Sequence, residues 1–367
     1  MTANSLQAIA RLTPLGDVLA LIDRDVQPVA PRHVAVAEAA RATLGADVIA
    51  GVRPAAPLAL VDGWALEAEL TRDAGVYAPA PLPQVPVRVE AGEPLPAGAD
   101  SVAPFDAVTA TNGRAEALAP VNAGDGVLAP GGDCDGKTPL RRAGEQLRAV
   151  DLAVLAAAGV TEVSLRVPRL RVLALRDDTI LAAAARLLAS DAARLGAVCE
   201  HARGDLSEAF AGDADAVIAI GGTGSGRNDD SVQTLARRGR VAVHGVGIAP
   251  GETAAFGFAG GKPVLLLPGR LDAALAVWLT LGRRLLQRLS AATSGEPSET
   301  VTLSRKVVST VGVAEVVPLR RSGDMAEPLA TKYLSLTALA RADGWLLVPA
   351  ESEGYSAASR VPLRPWP

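Results

Sequence analysis

The sequence is poor in cysteine, in aromatic residues and in long runs of a single charge. Its 367 residues include two cysteines, Cys134 and Cys199, which are far apart in the chain and form no metal-binding spacing. Such sparse cysteine is typical of a reducing compartment, so we expect a cytoplasmic protein. Aromatic residues make up only 3% of the chain. The hydrophobic cores must therefore be built mainly from Leu, Val and Ala.

The chain also lacks the features of nucleic-acid-binding, secreted and membrane proteins. Its formal net charge is -4 and it has no long basic run, which argues against nucleic acid as the main partner. The N-terminus has no basic region followed by an apolar core, so no signal peptide is predicted. No apolar run reaches the length of a transmembrane helix. A small phosphate-bearing ligand stays compatible with this composition, because local geometry rather than global charge binds it.

The most informative stretch is Val217 to Asp230, which reads VIAIGGTGSGRNDD. Four apolar residues, then glycines, then a helix-like run predict a buried strand, a Gly-rich turn and a helix start. Backbone N–H groups in such a turn bind phosphate, and the helix N-terminus adds partial positive charge. The P-loop and dinucleotide fingerprints both fail here. The alternative is a purely structural turn with Asp230 or Asn228 as the helix cap.

The first half of the chain changes character twice. Apolar residues at helical spacing predict helices within residues 5–22 and from Val34 to Thr43. Over residues 51–137, short β-type runs alternate with Pro and Gly, which is typical of a small β domain. Helical periodicity then returns. We interpret the β domain as an insertion between two parts of one helical domain, residues 1–50 and 138–168.

The second half has an α/β pattern and then a β-rich tail. Strands and helices alternate over residues 169–292, ending in a long amphipathic helix from Leu271 to Leu289. This pattern predicts a mainly parallel sheet with ligands bound beyond the carboxyl ends of its strands. Two turns qualify: the Gly-rich turn at Gly221 and the turn that begins at Pro268, after the strand VLLL. Residues 298–367 are interpreted as a small all-β domain.

Taken together, these segments resemble the molybdopterin molybdotransferase family, which includes the bacterial MoeA proteins and the gephyrin E domain. VDGWA at Val61 is similar to the family's MDGYA, and VEAGEPLPAGADSV at Val89 to its TGAPLPEGADAVV. GGTGSGRNDDSVQTLARRG at Gly221 is similar to its GGVSVGDYDFVKEALEELG. VAVHGVGIAPGETAAFG and the tail from Ser335 also look like the corresponding family segments. Nearly the whole chain is covered by the resemblance.

The resemblance implies both a fold and an activity. The expected fold is an elongated multidomain chain with a molybdopterin-binding α/β domain, an inserted β domain, a helical linking domain and a C-terminal β barrel. Family members form homodimers with the active site in a cleft between the α/β domain of one subunit and the β domain of the other. They take adenylylated molybdopterin and molybdate, hydrolyse the pyrophosphate link with magnesium, and release AMP and molybdenum cofactor. An upstream adenylyltransferase and a recipient molybdoenzyme are the candidate protein partners.

The same resemblance assigns candidate site residues. Asp62 in VDGWA, Asp133 in APGGDCDGK and Asp229 after the Gly-rich turn are the candidate catalytic residues. Asp135 is an alternative to Asp133 after a one-position slip. Asp229 is also the candidate magnesium ligand. The candidate ligand-binding residues lie in the two turns: Gly221, Gly222, Thr223, Gly224, Ser225, Gly226, Pro268, Gly269 and Arg270.

Three further residues have two interpretations each. Lys262 either supplies positive charge near the oxyanion or is an ordinary lysine at a hairpin tip. His244, alone in a strand-like run, fits a structural role better than a ligand role. Trp64 replaces the family's tyrosine and forms either packing or a wall of the cleft.

The chain departs from the family pattern at positions that bear on catalysis. Ile180 stands where the family has a glutamate of its metal and catalytic site, so Asp177 or Asp178 would have to replace that glutamate. The family's PGNPVS turn is changed to PGRLDA, in which Arg270 adds a cation that attracts molybdate or phosphate. FDNSAM has become APLALV.

Two main hypotheses follow from this comparison. The first is an active molybdotransferase. The second is a catalytically impaired relative that binds, carries or delivers molybdenum cofactor to a molybdoenzyme. A different phosphate-ligand enzyme on the same scaffold is a third, and the choice between molybdenum and tungsten is left open.

Overall fold

The structure is a computed structural model that describes residues 9–227 and 229–367. The helices and strands of residues 9–161 are β1 (Thr13–Pro14), α1 (Leu15–Asp25), β2 (Arg32–Ala35), β3 (Thr43–Leu44), β4 (Leu58–Ala59), β5 (Gly63–Leu66), β6 (Ala80–Leu82), β7 (Val87–Val89), β8 (Ser101–Ala103), β9 (Val108–Thr111), β10 (Arg114–Ala117), β11 (Val127–Leu128) and α2 (Ala149–Ala157). Those of residues 162–292 are β12 (Glu162–Arg166), β13 (Arg169–Ala174), α3 (Thr179–Arg194), β14 (Val198–Arg203), α4 (Leu206–Ala209), β15 (Ala216–Ile220), α5 (Ser231–Arg238), β16 (Arg240–His244), β17 (Val246–Ala249), β18 (Ala255–Ala259), β19 (Lys262–Leu267), α6 (Leu271–Val277) and α7 (Arg283–Ser290). The remaining elements are β20 (Glu299–Leu303), β21 (Val307–Val308), β22 (Ala314–Ser322), β23 (Met325–Pro328), α8 (Leu336–Arg341), β24 (Gly344–Val348), β25 (Gly354–Tyr355) and β26 (Arg360–Pro365).

The described chain divides into two compact units. The first contains residues 9–46, Ala143–Ala149 and Glu162–Pro367, and the second contains Asp47–Arg142 and Val150–Thr161. The second unit is built from short strands in the sheets β6-β10-β9, β7-β5-β8 and β11-β4, whose pairings are all antiparallel. The β-rich inserted segment predicted from the Pro- and Gly-broken pattern is therefore confirmed.

The first unit contains a six-stranded sheet in the order β14-β13-β15-β19-β18-β16. The first four strands are parallel to one another, and β18 and β16 are antiparallel additions. All five residues of β15 are buried, as expected of a central strand covered by helices on both faces. This is the mainly parallel sheet that the alternating pattern predicted.

Helices cover both faces of this sheet. One face packs against α1, α3, α6 and α7 in a core that includes Ile22, Leu188 and Trp278. The other face packs against α4 and α5 through residues such as Leu206 and Leu235. Each of these helices buries apolar residues at helical spacing, and α1 overlaps the helix predicted within residues 5–22 but begins at Leu15, after Pro14.

The C-terminal residues form a closed barrel. Strands β22-β23-β20-β26-β24 pair in that order, and β22 pairs again with β24 to close the circle. The interior is filled by aliphatic side chains, among them Leu303, Val317 and Leu346. This confirms the predicted C-terminal β barrel. In the part of the chain that the structure describes, no helix has the length and apolar character that crossing a membrane requires.

Two local predictions differ from the structure. The helix predicted from Val34 to Thr43 is wrong: β2 is a strand that pairs with β12, and only a short 3₁₀ turn follows at Val36–Glu38. The predicted helix from Leu271 to Leu289 is present as α6 and α7, but a π-helical turn at Trp278–Gly282 joins them. Gly282 makes room for the buried Trp278, because a Cβ there would lie 2.2 Å from the indole ring.

Candidate functional site

The two predicted glycine turns lie side by side at the carboxyl edge of the sheet. Strands β15 and β19 are parallel neighbours, and their last residues, Ile220 and Leu267, are register partners. The N–H of Gly221 donates to the carbonyl oxygen of Leu267 at 2.8 Å. The backbones are so close that a Cβ on Gly269 would lie 3.6 Å from the Cα of Gly221. The sequence predicted each turn separately, and the sheet brings them together.

Glycine is required at the first of these turns. Gly221 has a φ of 106° and Gly222 a φ of 69°, which L side chains rarely adopt. Leu181 of α3 packs against both turns. A Cβ added to Gly221 would lie 3.3 Å from a methyl carbon of Leu181, and a Cβ added to Gly269 would lie 3.4 Å from one. Leu181 therefore lies close to the backbone of both turns, and a side chain at Gly221 would crowd it.

Three polar contacts fix the shape of the first turn. The Ser231 hydroxyl, at the start of α5, donates to the carbonyl oxygen of Gly222 at 2.6 Å. The Thr223 hydroxyl shares a hydrogen bond of 2.9 Å with the Thr253 hydroxyl. Nε2 of His244 donates to the carbonyl oxygen of Thr223 at 3.1 Å. Thr223 is only 2% exposed, so it braces the turn from within, and His244 has the structural role that the sequence favoured.

Asp229 folds back over the end of the same turn. Its Oδ2 accepts the N–H of Gly226 at 2.9 Å, and this oxygen would be 2.7 Å from a Cβ on Gly224. Asp230 is the N-terminal flanking residue of α5 but makes no capping hydrogen bond with its side chain. Asn228, the other proposed cap, lies outside the described residues. Asp229 therefore closes the turn with its carboxylate.

A cavity of about 400 Å³ lies among the residues that follow β13 and β14 and the helices α4 and α5, and Ser231, which contacts the first turn, is part of its wall. Leu175 follows β13, and the strand order reverses beside this strand, at the kind of point where α/β sheets bind ligands. A hydrogen bond from the N–H of Ser207 lowers the pKa of Asp205 at its rim. The part of the cavity lined by Gly204 to Ser207 was not identified from the sequence, because neither β14 nor α4 was predicted. The lining residues are Leu175, Gly204, Asp205, Leu206, Ser207, Asp230, Ser231, Thr234, Arg237 and Arg238.

Arg270, the predicted cation of the second turn, is paired with a neighbour. Its Nε donates to Oδ1 of Asp272 at 3.0 Å and its Nη2 to Oδ2 at 2.5 Å. Its guanidinium also lies over the ring of Tyr333, 5.2 Å from the centroid. Hydrogen bonding to Asp272 raises the pKa of Arg270. Arg270 therefore belongs to a local ion pair beside Gly269.

Lys262 lies at the other edge of the sheet. It is the first residue of β19, while both turns follow the carboxyl ends of their strands. Five residue steps along a strand separate it from Leu267 by roughly 16 Å. Its Nζ donates to the carbonyl oxygen of Gly212. The interpretation of Lys262 as an oxyanion contact is wrong, and the hairpin-lysine interpretation holds.

The second unit carries Asp62, Asp133 and the alternative Asp135, all of them exposed. Oδ1 of Asp62 accepts the N–H of Ala91 at 2.8 Å, so Asp62 joins two loops of its unit. The carboxylate of Asp135 accepts the N–H and hydroxyl of Thr138 and the N–H of Lys137. These bonds, with that of the Thr138 N–H the largest, lower the pKa of Asp135 to about 2. Asp135 thus serves its own loop, which favours Asp133 as the candidate.

Trp64 packs within the second unit. Its ring meets that of Phe105 edge to face, with centroids 5.9 Å apart, and its Nε1 donates to the Phe105 carbonyl oxygen at 3.4 Å. The packing interpretation of Trp64 fits these contacts.

The loop between β13 and α3 was expected, from the family resemblance, to supply a metal-binding carboxylate. Ile180, in the position of the family's glutamate, is 53% exposed at the start of α3. Oδ1 of Asp178 accepts the N–H groups of Ile180 and Leu181 at 2.8 and 3.0 Å, so Asp178 is an N-cap. Among residues 9–227 and 229–367, no group of three or more His, Cys, Asp and Glu side chains is arranged to hold a metal ion.

Comparisons with known proteins agree with this architecture. The family model "MoeA N-terminal region (domain I and II)" matches residues 13–159, and the model "Probable molybdopterin binding domain" matches residues 175–288. Two crystal structures of a molybdopterin biosynthesis MoeA protein from Pyrococcus horikoshii each have a TM-score of 0.79. Each covers 97% of this chain and 100% of its own, at 24% and 21% identity. They share its fold.

Curated relatives carry names from the same process. Molybdopterin molybdenumtransferase 1 of Mycobacterium tuberculosis is 29% identical over 228 residues, which are 56% of this chain and 54% of the relative. Molybdopterin molybdenumtransferase 2 of the same organism is 26% identical over 296 residues, 67% of this chain and 72% of the relative. The chain thus spans about half the length of the first of these relatives. With both family models in sequence and the fold matched nearly end to end, the chain belongs to the MoeA family of molybdopterin biosynthesis proteins.

Proposed function

We propose that this chain acts in molybdenum cofactor biosynthesis, binding adenylylated molybdopterin and inserting molybdate with release of AMP. The observation that carries the proposal is the contact between the two glycine turns, in which the Gly221 N–H donates to the Leu267 carbonyl oxygen and Gly269 abuts Gly221. Two close backbone turns at one sheet edge make a surface on which a pyrophosphate can lie. Membership of the MoeA family supports this choice of ligand.

The residues of the first turn and of the cavity have complementary roles in this proposal. Backbone N–H groups of the turn and the N-terminus of α5 stabilise the phosphate charge. Arg237 and Arg238 add positive charge to the cavity wall. A volume of about 400 Å³ is within the usual range for small-molecule sites, about 300–1,000 Å³. The exposed Ser225 hydroxyl is available as a donor, whereas buried Thr223 supports the turn.

The chemical step consumes one water molecule. Its oxygen forms a bond to one phosphorus of the pyrophosphate, the bridging P–O bond breaks, AMP leaves, and the pterin keeps its phosphate. A carboxylate beside the phosphate can orient this water and accept its proton. In the first unit Asp229 is the candidate, since it already lies over Gly224 and Gly226. Asp62 and Asp133 are the candidates that the second unit offers.

Magnesium has only partial support from these residues. Asp229 is a single carboxylate whose Oδ2 already accepts an N–H, and Asp178 serves as a helix cap. Proteins usually hold magnesium with one or two carboxylates together with substrate phosphates. Any ion at this turn would therefore depend on the pyrophosphate for most of its ligands, and we assign no step to it.

The homodimer remains part of the proposal. The family resemblance implies that Asp62 and Asp133 of one subunit act with the glycine turns of the other. Sedimentation equilibrium of the purified protein tests this point independently of activity. A monomer at all accessible concentrations would contradict it.

The decisive assay incubates purified protein with adenylylated molybdopterin, molybdate and magnesium, and quantifies AMP by chromatography. The proposal predicts AMP release above a protein-free control, together with saturable binding of the pterin nucleotide. Tight pterin binding without AMP release would favour the alternative that the protein carries or delivers the cofactor. Absence of both binding and AMP release would refute a role in this pathway.

A further inference from the structure

The chain segment before α8 packs against the second glycine turn. Asp272, two residues after Arg270, is only 3% exposed. Its Oδ2 accepts the N–H of Leu334 at 3.1 Å, and its two carboxylate oxygens bind the Arg270 guanidinium at 3.0 and 2.5 Å. One buried carboxylate therefore joins the second turn to residues 331–335, which lie between β23 and α8.

A second buried carboxylate holds the same segment two residues earlier. Glu315 of β22 is only 2% exposed, and its Oε1 accepts the N–H of Lys332 at 2.5 Å. Its Oε2 accepts the hydroxyl of Ser309 at 2.6 Å. Lys332 has a φ of 62°, in a region that residues other than glycine seldom adopt. The backbone on each side of Tyr333 is therefore fixed by a hydrogen bond to a buried carboxylate.

Tyr333 lies between these two anchors with its side chain exposed. The residue is 62% exposed, and the guanidinium of Arg270 lies over its ring, 5.2 Å from the centroid. The Arg270 side chain is itself 58% exposed. A guanidinium over an aromatic ring is a favourable arrangement, and both groups are flat surfaces on which a further planar ring can stack. We call this pair the Arg270–Tyr333 stack.

The stack is held in place before any ligand arrives. Exposed side chains normally lose rotamer freedom when they bind a ligand, and this loss weakens binding. Here Asp272 orients the Arg270 guanidinium through two hydrogen bonds, and the fixed backbone restricts Tyr333. Arg270 directly follows Gly269, which abuts Gly221. The stack therefore adjoins the surface that we assign to the pyrophosphate.

We infer that Tyr333 is a substrate-binding residue that stacks, together with Arg270, against a planar nitrogen heterocycle of the pterin nucleotide. Adenine and the pterin both have this chemistry, and they lie at opposite ends of the pyrophosphate. This inference rests on the proposed function. It adds recognition of a ring by the C-terminal part of the chain, whereas the glycine turns bind phosphate charge.

The test is calorimetric titration of the parent protein, Tyr333→Ala and Tyr333→Phe, without magnesium or molybdate. The four probes are adenylylated molybdopterin, molybdopterin, AMP and inorganic pyrophosphate. Tyr333→Ala should bind adenylylated molybdopterin about 5- to 100-fold more weakly, the loss expected on removing one base–aromatic contact. Tyr333→Phe keeps the ring and should stay within about twofold of the parent affinity. Pyrophosphate has no ring, so its affinity should be equal in all three proteins.

The two halves of the nucleotide identify the ring that stacks. Weaker binding of AMP by Tyr333→Ala would assign the contact to adenine, and weaker binding of molybdopterin would assign it to the pterin. Parent affinity for both halves would overturn the inference.

Tyr77→Ala is the matched control. Tyr77 is fully exposed and lies in the second unit, whereas both glycine turns belong to the first. The substitution removes the same side chain as Tyr333→Ala, and we expect parent affinity for all four probes. A loss equal to that of Tyr333→Ala would show that the effect is not specific to Tyr333 and overturn the inference.

The remaining outcomes also decide the question. Unchanged nucleotide affinity in Tyr333→Ala, or a loss in Tyr333→Phe as large as in Tyr333→Ala, would refute the stacking contact. A parallel loss of pyrophosphate affinity would refute it too, because the substitution would then act on the shape of the turn. If the parent protein releases AMP while Tyr333→Ala binds normally, only this inference fails. If the parent does not bind adenylylated molybdopterin, the proposed function fails as well.

Discussion

Gly221 donates its N–H to the carbonyl oxygen of Leu267 at 2.8 Å, and this bond joins the start of one glycine turn to the end of the neighbouring strand. The bond extends the β15–β19 ladder by one residue beyond the paired strands. The Gly221 N–H is therefore already hydrogen-bonded within the protein. The N–H of Gly226 is hydrogen-bonded too, because it donates to Oδ2 of Asp229. Neither of these two N–H groups is therefore available to bind a ligand.

The first prediction concerns the left-handed backbone of Gly222. Gly222→Ala should destabilise the protein by about 1–2 kcal/mol and weaken pterin-nucleotide binding, because the added Cβ would press on the Ser231 side chain at 3.3 Å. Gly261→Ala is the control: its φ of 78° imposes similar strain, with nothing within 4 Å of the added Cβ. Denaturant unfolding and equilibrium binding measure the two effects. Equal loss of affinity in both variants would contradict a binding role for the first turn.

A second prediction concerns the Ser231 hydroxyl, which holds Gly222 at 2.6 Å. Ser231→Ala leaves a buried carbonyl oxygen with one hydrogen bond fewer, and should cost about 1–3 kcal/mol with weaker binding of the nucleotide. In Ser290→Ala, the lost hydroxyl donates to Leu286 of the same helix, at 3.0 Å. This control should lower the free energy of unfolding and leave binding unchanged. If both variants bind the nucleotide normally, the brace is unnecessary for the site.

A third prediction concerns Asp229, where two substitutions distinguish the effect of its negative charge from the effect of its hydrogen bond to the turn. Asp229→Asn keeps an oxygen that can accept the Gly226 N–H, whereas Asp229→Ala removes it. If the charge acts in hydrolysis, both variants should lose AMP release by at least about tenfold, while Asn keeps pterin affinity. Normal turnover in Asp229→Asn with loss of binding in Asp229→Ala would make Asp229 purely structural. Single-turnover AMP release and equilibrium binding, measured on the same preparations, distinguish these results.

A fourth prediction concerns the buried Asp191, which joins α3 to the helix α6–α7. It accepts bonds from Nε1 of Trp278 at 2.8 Å and from Nε of Arg283 at 2.9 Å. Asp191→Asn removes the charge that faces Arg283 and should cost about 3–5 kcal/mol at neutral pH. Asp213→Asn breaks the surface pair with Arg169, in which Asp213 is 79% exposed, and should cost less than about 1 kcal/mol. Similar losses in both variants would argue against a buried ion pair.

The Asp191 effect has a definite pH dependence. Burial opposes its ionisation, but hydrogen bonds and charge from Arg283, with bonds from Trp278 and Arg194, keep the pKa of Asp191 below its usual value. Because the folded pKa is lowered, its contribution is complete above the unfolded value of about 3.9 and is lost as the pH falls through the folded value. The stability difference between parent and Asp191→Asn should therefore be constant at neutral pH and shrink below about pH 4. A difference that grows on acidification would contradict this assignment.

Local patterns predicted much of the fold. Four consecutive apolar residues from Val217 and the glycines after them located β15 and its turn, and helical periodicity located the segment that contains α6 and α7. The same reasoning failed for β2, because its identity as a strand depends on pairing with β12, more than a hundred residues later. The local sequence of β2 is short and has no clear apolar periodicity, so it does not indicate pairing with a strand so far along the chain.

The candidate site shows the same limit. Gly221 and Gly269 were identified as turn residues from sequence, but their contact depends on the adjacency of β15 and β19. The ion pair between Arg270 and Asp272 could have been predicted from the sequence, because the two residues are only two positions apart. The stacking of Arg270 on Tyr333 could not be predicted in this way, because Tyr333 lies in the C-terminal segment, far from Arg270 in sequence. Charge in a sequence therefore indicates which groups are present, while tertiary structure decides whether they act on a ligand.

The central claim is that the two glycine turns together bind the pyrophosphate of the pterin nucleotide. Hydrogen–deuterium exchange of the parent protein, with and without saturating adenylylated molybdopterin, tests it most directly. We predict slower exchange in residues 221–227 and 268–270, and unchanged exchange in the hairpin at residues 259–262. Bound nucleotide with no protection in either turn, or with protection confined to the C-terminal barrel, would contradict the account.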